Sequence, residues 1–292
     1  MKKILLAVDE SEFSRIAVED CLERTWPDGT EFHIVFAVDF FEPLPAVEGV
    51  KEQQIESARE LVKKYEESFK SALPGVKVEG SVVDGLATSE ILHIARDWKP
   101  DLIIMGSQGR SGVAEFLLGS VSKYVLTHAH CSVRIVRKPK HPPEKIVVIA
   151  IDSSEYSHAG LEHVMNFPWE KGTNFLCVSV VPAMTDYHYS KPSQNYLLAI
   201  EEEKKQMHED AKEVLNKAVA RLTEKFGAES ARALVLEDDP REQILICAET
   251  GKACEVVLGS HSRRGVERLL LGSVSESVAT HAHCTVTVVR LK

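Results

Sequence analysis

Positive charge is in short supply: 35 Lys and Arg stand against 44 Asp and Glu, a formal net charge of −9. So acidic a chain lacks the electrostatic footprint for general binding to nucleic acid or to an anionic membrane. Long apolar runs are also missing. The opening Met1-Lys2-Lys3 leads into Ile4 to Val8, but Asp9 and Glu10 end that run, well short of a signal-peptide core or a spanning helix. Cysteine is sparse and scattered, at Cys21, Cys131, Cys177, Cys247, Cys254 and Cys284 with no C-x-x-C. That pattern fits free thiols in a reducing compartment, and a cytoplasmic location is expected. The common catalytic signatures are absent as well: G-x-x-x-x-G-K-[ST], H-E-x-x-H, G-x-S-x-G, and G-x-G-x-x-G after the first strand. No catalytic residue can be named, and binding is expected rather than efficient catalysis.

What is present is the composition of an ordinary globular protein, 44% hydrophobic and 27% charged over 292 residues. The length is about twice the ~150 residues of one compact domain. It is also doubled in content. Lys3-Ile4-Leu5-Leu6-Ala7-Val8-Asp9 followed by Glu10-Ser11-Glu12 has its counterpart in Lys145 to Ile151 followed by Asp152-Ser153-Ser154-Glu155. From Gly119 to Cys131 and from Gly272 to Cys284, ten of thirteen positions are identical. A repeat of about 145 residues is a duplicated domain rather than a solenoid unit. The Pro-rich stretch at 138–144 serves as the linker, so domains are expected at 1–138 and 144–292.

Within each half, short apolar runs alternate with helical periodicity, the pattern of an α/β domain built on a parallel sheet. Strands are expected at 3–8, 31–38, 77–83, 102–105 and 132–136, then at 145–151, 174–181, 232–236, 256–258 and 285–289. Each is nearly all apolar, as strands buried on both faces should be. A helix over 51–73 carries Ile55, Ala58, Leu61, Val62, Tyr65, Phe69 and Leu73 on one face, a second covers 88–98, and a long charged helix ends near Phe226.

In open parallel sheets, ligands lie beyond the carboxyl ends of the strands where the strand order reverses. Two such ends stand out in the first half. The first strand ends at Asp9, and the fourth runs into Gly106-Ser107-Gln108-Gly109-Arg110-Ser111-Gly112, with Gly119-Ser120 opening the next helix. Three glycines in seven residues allow close backbone approach, and a helix start with free N–H groups suits a phosphate.

The spacing Gly106, Gly109, Gly119-Ser120 resembles the nucleotide loop of the universal stress protein family, of the kind that binds ATP. The resemblance covers nearly the whole chain twice, including the closing His-Ala-x-Cys and the last strand ending in Val-Arg. It implies a five-stranded parallel sheet of order 3-2-1-4-5 in each repeat, with helices on both faces. It also implies that Ala7 and Asp9 lie beside base and ribose, that Val38 meets the adenine through its backbone, and that Met105, Gly106 and Gly109 line the ribose and phosphate path. Gly119, Ser120, Val121 and Ser122 would present N–H and hydroxyl donors to the phosphates, with Arg110 adding charge. The ligand implied is ATP, ADP or AMP, with Mg2+ as a companion ion. The second-half counterparts are Ala150, Asp152, Val181, Leu258, Gly259, Gly272, Ser273, Val274 and Ser275. There the sequence departs: Ser262 stands in the place of Gly109, and Asp238 in the place of Gly85. A Cβ and a carboxylate both oppose phosphate, although Arg263 and Arg264 could offset them, so a weaker second site is expected. Single-domain members pair through the last strand, and duplication would make that pairing an intramolecular pseudo-dimer, leaving homodimerisation and an unidentified protein partner open.

Thr-His-Ala-His-Cys occurs twice, at His128, His130 and Cys131 and at His281, His283 and Cys284. Imidazole and thiolate are zinc ligands, but the triplets end helices, where an imidazole can bond the last carbonyls and a small Cys packs well. No metal is expected. Two alternatives to nucleotide-gated binding remain: an interaction or small-molecule module whose nucleotide sites have decayed, with Tyr187, Tyr189 and Tyr196 near a second-half pocket, and a slow ATPase.

Overall fold

A computed structural model describes residues 2–39, 49–109, 118–138, 144–183, 194–261 and 271–291. Among them the first half runs β1 (Lys3–Val8), α1 (Glu12–Leu22), β2 (Glu31–Val38), α2 (Val50–Ala72), β3 (Lys77–Asp84), α3 (Ala87–Trp98), β4 (Leu102–Gly106), α4 (Ser120–His128) and β5 (Ser132–Val136). The second half repeats it with β6 (Glu144–Ala150), α5 (Glu155–Asn166), β7 (Asn174–Val181), α6 (Gln194–Phe226), β8 (Ala231–Glu237), α7 (Pro240–Thr250), β9 (Ala253–Gly259), α8 (Ser273–His281) and β10 (Thr285–Val289).

Both halves have the expected strand order, and they share one sheet. The ten described strands run β3-β2-β1-β4-β5-β10-β9-β6-β7-β8. Each half is parallel within itself, and the halves meet where β5 and β10 pair antiparallel, with Arg134 opposite Thr287. The order reverses between β1 and β4 and between β6 and β9, because β1 pairs with both β2 and β4 and β6 with both β7 and β9. At each reversal the loops leaving the two central strands diverge to opposite faces and open a crevice.

Alternation along the strands feeds two layers. On one face Leu5, Ala7, Ile103, Met105, Val256, Leu258 and their neighbours form a core that runs continuously through both halves beneath α3, α4, α7 and α8. On the other face the cores are separate, under α1 and α2 in one half and under α5 and α6 in the other. The face expected on α2 is the one it buries, with Ala58, Val62 and Phe69 inside and Ile55, Leu61, Tyr65 and Leu73 partly buried against the same core. Local chemistry starts the helices: Ser11 and Ser154 accept from the N–H groups of Ser14 and Ser157, and Asp239 caps α7 ahead of Pro240.

Several strands run a residue past their expected bounds, and β9 departs most. β9 begins at Ala253, three residues before the anticipated 256, and includes Glu255, which is 1% exposed. A carboxylate in a central strand contradicts the apolar pattern. It is tolerated because Arg134 of β5, equally buried, pairs with it. The arginines after each half's last strand cross the seam: Arg137 donates to the carbonyls of Ala279 and Thr280 at the end of α8, and Arg290 to those of Leu126 and Thr127 at the end of α4. Each half thereby supplies the cation that the other's helix C-terminus favours.

Candidate functional site

At the end of β1, Asp9 is held rigidly. Its Oδ1 accepts from the Ser11 N–H at 2.9 Å, the Ser11 hydroxyl at 2.5 Å and the Ser14 hydroxyl at 2.6 Å. One oxygen therefore does the work of a local turn into α1. The other faces Gly109: a Cβ built on that glycine would lie 2.8 Å from Asp9 Oδ2. The missing side chain at 109 is what lets the loop after β4 pass beside the carboxylate. Gly106 has a different reason to be glycine, since a Cβ there would fall 2.7 Å from the Phe13 backbone of α1. Its absence serves helix–sheet packing.

The loop closes on itself. Gly119 donates its N–H to the Ser107 carbonyl at 2.8 Å, and a Cβ on Gly119 would sit 3.2 Å from Gln108 Cα. Gly119 is the N-cap of α4 and, having no side chain, leaves the first N–H groups of that helix without a side-chain cap. Uncapped helix N-termini present donors and a partial positive charge to an anion. Ser120 is exposed there and Val121 half-buried. The Ser122 hydroxyl corrects an expectation. It is 3% exposed and donates to the Gly106 carbonyl at 2.9 Å, so its single proton locks α4 to the end of β4 and is not free for phosphate.

Ala7 and Met105 lie side by side in the β1–β4 register, both buried. Val38 ends β2, and its carbonyl accepts the Gly85 N–H at 3.1 Å. Gly85 has φ +149°, a conformation side chains rarely adopt. Arg110 lies outside the described residues.

The second half repeats this frame closely. Asp152 Oδ1 accepts from the Ser154 N–H at 2.9 Å and the Ser154 hydroxyl at 2.5 Å. Gly259 packs against the Tyr156 backbone, Gly272 donates to the Ser260 carbonyl at 2.8 Å, α8 has no side-chain cap, and the Ser275 hydroxyl is committed to the Gly259 carbonyl at 2.7 Å. Ala150 ends β6, Leu258 is buried in β9, and Ser273 and Val274 open α8.

Against that sameness stand two differences among the described residues. Asp238 occupies the place of Gly85, as its N–H bonds the Val181 carbonyl at 3.1 Å, and it holds φ +110° despite its side chain. His261 replaces Gln108, with its ring 4.9 Å from that of Tyr156 and its Nδ1 3.0 Å from the Ser260 hydroxyl. In this half a small open pocket also lies between the ends of β6 and β7 and the wall of α6, lined by Asp152, Val181, Met207, Asp210, Ala211 and Val214 among others. The α6 wall was missed in the sequence, although positions 207, 210, 211 and 214 follow the i, i+3, i+4, i+7 rule of a helix face. Ser262, Arg263, Arg264, Tyr187 and Tyr189 fall outside the described residues, and Tyr196 is 40% exposed on α6.

The His-x-His-Cys ends show how helix termini are finished. His128 Nδ1 is 2.8 Å from the Tyr124 carbonyl with its ring stacked on Tyr124, and His281 Nδ1 is 2.9 Å from the Ser277 carbonyl. Among the described residues no group of three or more His, Cys, Asp or Glu is disposed to hold a metal ion. No helix there is long and apolar enough to cross a membrane.

Fold and site together define a class: two doubly wound α/β domains fused in one chain, each with a glycine-lined crevice at its strand-order reversal. The universal stress protein family model matches residues 1–137 and again 144–290, and the chain belongs to that family. A universal stress protein of Methanocaldococcus jannaschii is 34% identical over 144 residues, 48% of this chain and 84% of its own length. One from Mycobacterium tuberculosis is 26% identical over 242 residues, 82% of this chain and 72% of its own. A universal stress protein structure from Archaeoglobus fulgidus aligns over 99% of this chain and 96% of its own with a TM-score of 0.67 at 22% identity, a likeness of fold.

Proposed function

We propose that the first half binds an adenine nucleotide, ATP foremost, in the crevice between the ends of β1 and β4. The observation that carries this reading is the uncapped N-terminus of α4 brought beside Asp9 by a loop whose Gly109 has no room for a side chain. Phosphates would take the free N–H groups of α4, with Ser120 adding an exposed hydroxyl, and the Asp9 carboxylate suits a ribose hydroxyl or a phosphate-bound Mg2+. Ala7, Met105 and Val38 would form the floor toward the base.

The reading is a binding protein of the stress response, acting in the cytoplasm. Ligand binding at this crevice would shift the surface offered to a protein partner. For the second half a specific difference favours a separate reading. Asp238 at the entrance and the pocket walled by α6 near Asp152 and Asp210 favour a weakened nucleotide site or one turned to another small molecule. Isothermal titration of the full chain with ATP and Mg2+ tests both readings: one tight binding event with a second weaker one or none is expected, and two equal events refute the asymmetry.

A further inference from the structure

The two halves meet around a buried cluster of charges that the duplicated sequence does not share. Arg134 sits on β5 at the register position opposite Thr287 of β10, and the two are equivalent residues of the two repeats. Arg134 is 1% exposed and Thr287 0%. The guanidinium of Arg134 pairs with Glu255 across the seam and, within its own half, with Asp20 of α1 at 3.0 Å. Arg24 joins the same carboxylate at 2.7 Å. Thr287 donates to Glu255 Oε1 at 2.5 Å. Phe167, which enters the first half's core from the second half, lies 4.8 Å from the Arg24 guanidinium and 4.9 Å from that of Arg134, in cation–π range of both.

Equal spacing from Asp9 to Trp26 and from Asp152 to Trp169 makes His163 the counterpart of Asp20 and Phe167 that of Arg24. Counting back from Gly106 and Gly259 makes Leu102 the counterpart of Glu255. At four related positions, then, one repeat carries a charge where the other is neutral. His163 stays uncharged, its pKa pushed down to about 3 by burial and by the Arg134 guanidinium. As the chain is built, Arg24 and Arg134 are balanced by Asp20 and Glu255. Pairing the first half with a second copy of itself would bury four arginines against two aspartates, with Arg134 facing Arg134. Pairing the second half with its own copy would bury two glutamates and no cation. A buried, uncompensated charge is strongly unfavourable, while a neutral match is tolerated.

We propose that this cluster is a charge key that makes the seam heterotypic: each half accepts the other half at its last strand and rejects a second copy of itself. The strand edge of β5 or β10 would otherwise be a template for pairing like with like. The key sets the partner, and the cross-seam Arg137 and Arg290, alike in both halves, are indifferent to it.

The test uses the full chain. Arg134→Thr with Glu255→Leu leaves every pairing balanced, since Arg24 and Asp20 then cancel within the first half. Unlabelled and 15N-labelled chains are mixed either after folding or as co-refolded mixtures from urea, and native mass spectrometry counts mixed oligomers. Wild type is expected to give no more mixed oligomers on co-refolding than on mixing folded chains, and the double variant severalfold more. Equal yields from wild type and double variant on co-refolding would overturn the proposal. A second reading comes from melting midpoints. The double variant should melt closer to wild type than Arg134→Thr alone, and Glu255→Leu with Thr287→Arg should lose more than its single changes together. A double variant no more stable than Arg134→Thr, or additive losses for the second pair, would also overturn it.

Discussion

The two halves of this chain carry one architecture and two sets of chemistry. Backbone devices are duplicated faithfully: the Asp9 and Asp152 turns, Gly106 and Gly259 packed on Phe13 and Tyr156, the Ser122 and Ser275 locks, and the uncapped starts of α4 and α8. Differences concentrate in two places, the mouth of the crevice and the seam. The frame is shared because it positions main-chain groups, for which few residue types suffice. Side chains that select, whether a ligand or a partner strand, have diverged.

The largest effect expected from breaking the comparison is at the seam. Arg134→Thr makes the first half resemble the second, but it strands Glu255 in the core without a cation, and a loss of about 3–5 kcal/mol in unfolding free energy is expected. Urea denaturation measures it, and a loss under about 1 kcal/mol would mean that the cluster contributes little. Next comes Phe167→Ala, expected to remove about 3 kcal/mol by opening a cavity in a core it enters from the other half. Its counterpart Arg24→Ala leaves the pairing of Asp20 with Arg134 in place and should cost about 1 kcal/mol. Comparable losses from the two would show that the seam is more symmetric than it looks.

A third difference is read by pH. His163 titrates near its ordinary value in the unfolded chain but is held down to about 3 in the folded one. Between pH 6.5 and 3 the unfolded state thus binds more protons, so stability falls as pH drops through that window and is full above it. The slope from this group alone approaches about 1.4 kcal/mol per pH unit, and His163→Gln should flatten it. Asp20, the counterpart, acts elsewhere. Burial works against its charge, but Arg134 and Arg24 hold its pKa down to about 2, so its contribution is lost only as pH falls from about 4 toward 2.

Much of this was legible in the sequence. The order of strands and helices along the chain followed from periodicity and the repeat itself, while the reversal point and the gathering of Asp9, Gly109 and Gly119 followed from the family resemblance carried by the glycine spacing. The roles of individual groups were less legible. Gly106 reads as ligand space but serves packing, and the Ser122 hydroxyl reads as a phosphate donor but is committed to a carbonyl, because both facts depend on which element packs behind the loop. Arg134 was hidden in a strand read as apolar and Glu255 lay just ahead of the strand expected at 256–258, and their buried pairing is visible only when β5 and β10 are adjacent. Asp238 was matched to Gly85 from the alignment, and the shared N–H bond to the end of the second strand in each half supports that match.

The smallest change with a specific outcome is at the crevice. Gly109→Val places a branched side chain where even a Cβ would sit 2.8 Å from Asp9 Oδ2, and it should weaken the first site at least tenfold, about 1.4 kcal/mol, without unfolding the protein. Native mass spectrometry of the freshly purified full chain, wild type beside Gly109→Val, reads the central claim most directly. One adenine nucleotide retained per wild-type chain, lost in the variant, is the result predicted. Nucleotide held equally by both chains, or by neither even at millimolar ATP with Mg2+, would contradict it.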